Sequence, residues 1–269
     1  MRCGASVTVV TRNEKKAALW RSRGADAVVL DVTDVDALRS VLQRSRRAFL
    51  LNPPAPPSSN TDEEEYITFT SIVHALDGSR LEKVVVESSY GAQSGDHIGN
   101  LSVLFDFKQA LSNQNIPVMV LRAAYYMNNL DYFLESVKQG TLPTMYPTEL
   151  AIPMVAPSDL GAAVARLLQE GVDQTGVHYV EGPARYSSND VAAAFAKALG
   201  SDVTVAVTPR EQWEDAYRKL GFSEAAASAY ARMTAVSIDG TFQMPARPER
   251  WIVTLDSYVT ALVQQDGRN

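Results

Sequence analysis

Arg12 closes a short apolar run, Val7-Thr8-Val9-Val10-Thr11, and Asn13, Lys15 and Lys16 follow at once. A guanidinium at the end of such a run suits a phosphate group. Two ammonium groups in the next helical turn oppose the helix dipole unless an anion lies nearby. A solvated helix start, partly compensated by Glu14, accounts for the same residues. Asp31-Val32 follows the second apolar run; it offers a contact to a ligand ring or a capping turn ahead of Asp34. Glu87-Ser88-Ser89-Tyr90 supplies hydroxyls that can hold a carbonyl, or ordinary turn chemistry. Ala123-Ala124-Tyr125-Tyr126-Met127-Asn128-Asn129 is a polar choice for pure core, and its tyrosines suit stacking on a flat ring. Lys108 lies within a helical stretch, and His97 sits in a polar loop as a proton donor or as a merely exposed side chain. No metal site is indicated, because His74, His97 and His178 are scattered and Cys3 is the single cysteine. Gly-x-Ser-x-Gly does not occur, and no Ser-His-Asp arrangement is visible.

Positioning these groups falls to alternating short strands and helices. Strands are predicted at Val7–Val10, Ala27–Leu30, Ala48–Leu51, Lys83–Glu87, Val118–Leu121 and Val177–Val180. Helices are predicted near Glu14–Arg23, Asp34–Arg44, Asp62–Leu76, Val103–Asn113 and Asp159–Glu170, with Asn13, Asp34 and Ser158 as caps. Continuous apolar strands separated by helices imply an α/β fold, a parallel sheet with helices on both faces. Asn52-Pro53-Pro54-Ala55-Pro56-Pro57 directly follows a strand, so it reads as a loop at the carboxyl edge, where ligands bind in such folds. Gly91 to Gly99 carries three glycines, but its spacing is not that of a phosphate loop, and no helix is predicted to begin at its last glycine. After Tyr126 helices dominate, near Leu130–Gln139, Ser188–Leu199, Arg210–Leu220 and Glu224–Ala235. Residues 1–129 and 154–181 are therefore expected to form the core around that sheet. Residues 130–153 and 182–269 are expected to form a smaller, mostly helical substrate-binding lobe.

The 269 residues suffice for one large domain or a core with a lobe. A net charge of −6 argues against a nucleic-acid or anionic-membrane surface. One cysteine permits no internal disulfide, and no apolar stretch approaches a membrane span. The expected class is a cytoplasmic protein acting on a small molecule, as a homodimer or with a partner protein.

The order and spacing of several segments resemble the NmrA-like branch of the atypical short-chain dehydrogenases. These are the opening Val-Thr-Val-Val-Thr-Arg-Asn, Leu50-Leu51-Asn52-Pro53-Pro54, Phe105-Asp106-Phe107-Lys108, Asn115-Ile116-Pro117-Val118, Leu121-Arg122 with Tyr126 and Asn128-Asn129, Pro157-Ser158-Asp159-Leu160-Gly161, and the region Val203–Leu220. The resemblance covers nearly the whole chain and implies a Rossmann core, NADP(H) binding, and an oxidoreductase or redox-sensing role. It assigns Arg12 to the 2′-phosphate, Asn52 and Pro53 to the loop beside the cofactor, and Lys108 to the active-site helix. Ala123, Ala124, Tyr125 and Tyr126 match the nicotinamide-side loop. The candidate cofactor contacts are thus Arg12, Asn13, Lys16, Asp31, Val32, Asn52, Pro53, Ser88, Ser89, Lys108, Ala123, Ala124 and Tyr125. The catalytic candidates are Lys108, Tyr90, Tyr125 and Tyr126.

Two departures stand out. Short-chain dehydrogenases use Tyr-x-x-x-Lys, yet no tyrosine here precedes a lysine by four residues, and Leu104 occupies that place before Lys108. The family's Gly-x-x-Gly-x-x-Gly turn and the strand before it are also missing, so the chain reads as one element short at its start. In the strand order 3-2-1-4-5-6 that strand is central. Its loss leaves buried edge groups costing about 1–3 kcal/mol each if dry, against a total stability of about 5–15 kcal/mol. Three accounts are open: a true start about 25–30 residues upstream, closure of the flanking strands on each other, or a fold repurposed without the cofactor. Three functions correspond: hydride transfer from NADPH to a quinone, enone or iminium; non-catalytic NADP(H) sensing; and a cofactor-free isomerase or cyclase.

Overall fold

The computed structural model describes residues 4–267. Its first half alternates strictly: β1 (Thr8–Thr11), α1 (Glu14–Ser22), β2 (Asp26–Val29), α2 (Val35–Leu42), β3 (Arg47–Leu50), α3 (Thr61–Ala75), β4 (Lys83–Ser89), α4 (Asn100–Ser112) and β5 (Val118–Ala123). The chain continues through β6 (Tyr125–Tyr126), a 3-10 turn (Met127–Phe133), α5 (Leu134–Lys138), β7 (Thr141–Thr144), β8 (Ile152–Val155), α6 (Pro157–Gln169) and β9 (Gly176–Glu181). Last come β10 (Arg185–Tyr186), α7 (Ser188–Leu199), β11 (Thr204–Val207), α8 (Trp213–Lys219), α9 (Glu224–Asp239), β12 (Glu249–Arg250) and α10 (Leu255–Asp266).

The main sheet is parallel, in the order β12-β9-β5-β4-β3. Its central strand β4 shows why both faces are covered. Val84 and Val86 point to one side, into a core with Phe69 and Ile72 of α3 and Phe107 and Leu111 of α4. Val85 points to the other, against Met119, Leu121 and the α6 residues Leu160, Ala163 and Leu167. The period of two along a strand makes that division. A third core joins Met127, Leu130 and Leu134 to Phe195 of α7 and to Leu255 and Val259 of α10.

β1 and β2 form a separate parallel pair, not hydrogen-bonded to the main sheet. The flanking strands do not close on each other: β1 pairs with β2 and β3 with β4, and no ladder joins β1 to β3. The pair is nonetheless attached, since Val10, Leu30 and Val32 pack on the core that contains Ala48 and Leu50.

Helix starts largely follow the caps in the sequence. Asn13 accepts from the Lys16 N–H, and Asp34 from the Ala37 N–H. Ser158 is not a cap: Pro157 takes the first helical position, where its fixed φ and missing N–H cost nothing, and Ala156 is the residue before it. α4 also begins earlier than the apolar pattern implies, directly after Gly99, which adopts a left-handed φ of 59°. A Cβ there would lie 3.4 Å from both the Ala229 carbonyl and Met233 of α9, so this glycine serves packing.

Candidate functional site

The ends of three neighbouring strands assemble the site. In the main sheet Ser88 pairs in register with Arg122, and Ser89 with Ala123; Asn52 lies two residues beyond the end of β3. Asn52, Ser88 and Ala123 therefore stand at the carboxyl ends of β3, β4 and β5, where doubly wound sheets bind their ligands. Asn52 is buried, and its side-chain N–H₂ donates to the Glu65 carbonyl at 3.1 Å. Its Oδ1 is buried with no donor among the described residues. An unmet buried acceptor costs about 1–3 kcal/mol, so a donor from a bound molecule suits it. Ser88 is buried beside it, and Pro53 and Ser89 are half-buried. Lys108, half-buried on α4, forms no ion pair among the described residues.

Ala123 and Ala124 are buried, and their backbones are committed: Tyr90 N–H donates to the Ala123 carbonyl and Ala124 N–H to the Val180 carbonyl. The tyrosines divide. Tyr125 meets Tyr146 edge to face at 6.1 Å. Tyr126 donates its hydroxyl to Glu87, and Tyr90 donates to Glu181 at 3.3 Å. Burial pushes the Tyr90, Tyr125 and Tyr126 hydroxyls up from their ordinary value, with carboxylates adding to it at Tyr90 and Tyr126. Burial likewise pushes Glu87 up, against its hydrogen bond from Tyr126.

Arg12 and Asp31 come together across the ends of β1 and β2, at 4.0 Å, both exposed. Asp31 accepts from the Thr33 N–H and hydroxyl at 3.0 and 2.8 Å. Those bonds, with Arg12 adding a smaller part, hold its carboxyl below the usual range. Asp31 thus makes a capping turn and pairs with Arg12 at once. Val32 packs on the core. The Asn13 side chain is spent on its cap, and Lys16 is exposed in the first turn of α1. Cationic side chains are therefore present at this end, while none of the described residues forms a glycine-rich turn leading into a helix between β1 and β3.

Glu65 was hidden within Asp62-Glu63-Glu64-Glu65. It is buried, accepts the Ala55 N–H at 3.2 Å, and is pushed up to about 7 by burial, with Asp62 adding to the rise. Its signal was periodic: it lies four residues before Phe69 and seven before Ile72, on the buried stripe of α3. Glu181, also missed, is fully buried with Arg250 at 3.0 Å. His97 is mostly exposed, with a left-handed φ of 48°, and pairs with Asp62 at 3.2 Å. It borders a cavity of about 490 Å³ with Asn60, Asp62, Tyr66 and Ser102. α9 ties down both loops that flank the site. Ser223 binds the carbonyls of Pro57 and Ser59 at 2.9 and 2.6 Å, and Arg232 binds that of His97 at 2.7 Å.

The NmrA-like family model matches residues 1–246. This chain belongs to the NmrA-like family. Solved structures share its fold. A triphenylmethane reductase from Citrobacter sp., complexed with NADP(H), is 16% identical with a TM-score of 0.71, covering 96% of this chain and 89% of its own. An NADPH-dependent quinone oxidoreductase from Escherichia coli, complexed with NADPH, is 19% identical with a TM-score of 0.71, covering 95% and 89%. NmrA, a negative transcriptional regulator in complex with NAD, is 13% identical with a TM-score of 0.65, covering 98% and 97%. At these identities the likeness establishes the Rossmann-like fold. No curated protein matches the chain.

Proposed function

We propose that this NmrA-like protein is an NADP(H)-dependent oxidoreductase transferring hydride to a quinone, enone or iminium. The observation that carries this reading is the buried, unpartnered Asn52 Oδ1 beside Ser88 and Ala123 at three adjacent strand ends. Residues 1–129 and 154–181 form the nucleotide-binding core in this reading, and residues 130–153 and 182–269 the substrate-binding lobe. Arg12 and Lys16 take the 2′-phosphate, Asp31 and Val32 border the adenine, and Lys108 holds a ribose. Asn52 accepts from the cofactor at the nicotinamide end, and Ala123 and Ala124 admit the ring. NADPH, when bound, supplies the hydride.

The choice of acceptor follows from the phenols. Tyr90 and Tyr126 already donate to buried carboxylates, and burial makes all three candidate tyrosines weaker acids. With Leu104 four residues before Lys108, the usual tyrosine donor has no counterpart. Quinones, enones and iminium ions ask less of a protein acid than a simple ketone does. Tyr125 and Tyr126 then orient the substrate, with Tyr90 behind them. No helix among the described residues is long and apolar enough to cross a membrane; we place the protein in the cytoplasm, as a homodimer or with a partner protein.

The same missing donor favours a second reading, a non-catalytic NADP(H) sensor. Fluorescence titration with NADPH, followed by turnover with a broad panel of quinones, enones and imines, separates the two. Binding with turnover is the expected result. Binding without turnover of any acceptor leaves the sensor, and no binding leaves a cofactor-free isomerase or cyclase.

A further inference from the structure

The cavity that His97 borders opens between the start of α3, the start of α4 and the loop Gly95–His97, with a volume of about 490 Å³. That is the size of a small-molecule pocket. Asp62 lines it from a residue that is only 8% exposed, and its Oδ1 has no hydrogen-bond partner among the described residues. Asp62 Oδ2 stands 3.2 Å from His97 Nδ1. One imidazole N–H serves one carboxylate oxygen and leaves the other unmet, and a buried acceptor without a donor is unfavourable. Glu63 and Asp96 add two exposed carboxylates to the rim. Among the described residues no lysine or arginine pairs with Asp62, Glu63 or Asp96, and His97 is the one basic side chain beside them. The negative charge reaches further. Burial pushes Glu65, Tyr66 and Tyr230 up from their ordinary values, and Asp62 adds to each rise.

Most donors of the lining are turned on the protein itself. The Asn60 side-chain N–H₂ donates to Glu63 at 3.2 Å, the Ser102 hydroxyl to the Gly99 carbonyl at 3.0 Å, and the Tyr66 hydroxyl to Asp106. His97 sets its two ring nitrogens against Asp62 and Asp96, at 3.2 and 3.5 Å. What remains along the wall is mainly acceptors: hydroxyl lone pairs and carboxylate oxygens. Such a wall suits a ligand that brings N–H donors and positive charge together. A metal ion is the poorer match, because no group of three or more histidine, cysteine, aspartate or glutamate side chains among the described residues is placed to hold one. Tyr66, 37% exposed, offers its ring to the carbon skeleton of an organic cation.

We propose that this cavity binds a small organic cation carrying N–H donors, a primary ammonium or an amidinium, with Asp62 as its carboxylate partner and the Tyr66 ring against its skeleton. The site does not depend on the hydride-transfer reading, and its test needs no NADPH. Amide NMR titration of the full chain with phenethylammonium is expected to shift signals within residues 60–66 and 95–102 selectively. Phenethyl alcohol has the same skeleton without the charge, and phenethyl-trimethylammonium has the charge without an N–H. Each is expected to bind about tenfold more weakly than phenethylammonium. Asp62→Asn keeps the shape of the side chain and is expected to weaken phenethylammonium about tenfold as well. The three probes are compared on the unaltered protein, so the test decides even if that variant fails to fold. Equal binding of the alcohol or of the trimethylated cation overturns the proposal. So do shifts centred elsewhere, no binding up to about 10 mM, or undiminished affinity in folded Asp62→Asn.

Discussion

Glu65 stands one helical turn before Phe69, so the helix that buries the phenylalanine also carries a carboxylate out of water. Its carboxyl is pushed from 4.5 to about 7. A raised carboxyl favours the folded state when protonated. Its contribution is therefore fully present below about 4.5 and lost as pH rises through about 7. Glu65→Gln keeps an acceptor for the Ala55 N–H and removes the titration. The variant is expected to lose the stability change that wild type shows across that window, on the order of 1–3 kcal/mol, in urea melts at a series of pH values. Parallel pH profiles for the two proteins contradict this account. Arg12 is a different case. Its pairing with Asp31 is exposed and worth about 0–1 kcal/mol, so Arg12→Ala is expected to leave the melting temperature nearly unchanged. On the proposed function it weakens NADPH about tenfold, near 1.4 kcal/mol, and NADH hardly at all. Equal loss for both nucleotides in paired titrations removes the 2′-phosphate role.

At the scale of elements, Phe107 fixes α4 against α3 by stacking on Phe69 at 5.5 Å, and it is fully buried. Phe107→Ala is expected to cost about 3–5 kcal/mol in chemical denaturation, and a loss under 1 kcal/mol would show that the two helices repack freely. Much at this scale was legible in the sequence. β-branched runs such as Val84-Val85-Val86 marked strands, and Asn13 and Asp34 marked helix starts, because these signals act within a few residues. Ser158 and the start of α4 were misread for reasons that lie nearby, a proline at the first helical position and a glycine fitted to α9. The short strands β6, β8, β10 and β12 had no local signal, since each exists only through a partner far along the chain. The candidate residues were legible as a set of strand ends. The pairing of Tyr126 with Glu87 and of Tyr90 with Glu181 was not, because it depends on which strands lie side by side.

For the molecule as a whole, the division of the sheet sets a hierarchy of stability. The β1–α1–β2 unit buries little: Ala17 is the one buried residue of α1, and Leu19 and Trp20 are exposed. β4 is buried along most of its length, between helices on both faces. Local opening is therefore expected to begin in residues 7–30, at a free energy well below that of β4 and β5. Native-state hydrogen exchange in low denaturant measures this, and a shared opening energy for both regions would mean that the unit is bound more firmly than its packing implies.

The tethers from α9 have one more consequence. Ser223 and Arg232 grip the carbonyls of Pro57, Ser59 and His97, and every residue type has a carbonyl. Side chains at exposed, non-glycine positions of the two flanking loops can thus be exchanged without loosening their anchors. A library randomised at Ser58 and Ser94 would vary the rim chemistry on a constant scaffold. The same arrangement lets the rim's side chains change while the frame beneath them stays put.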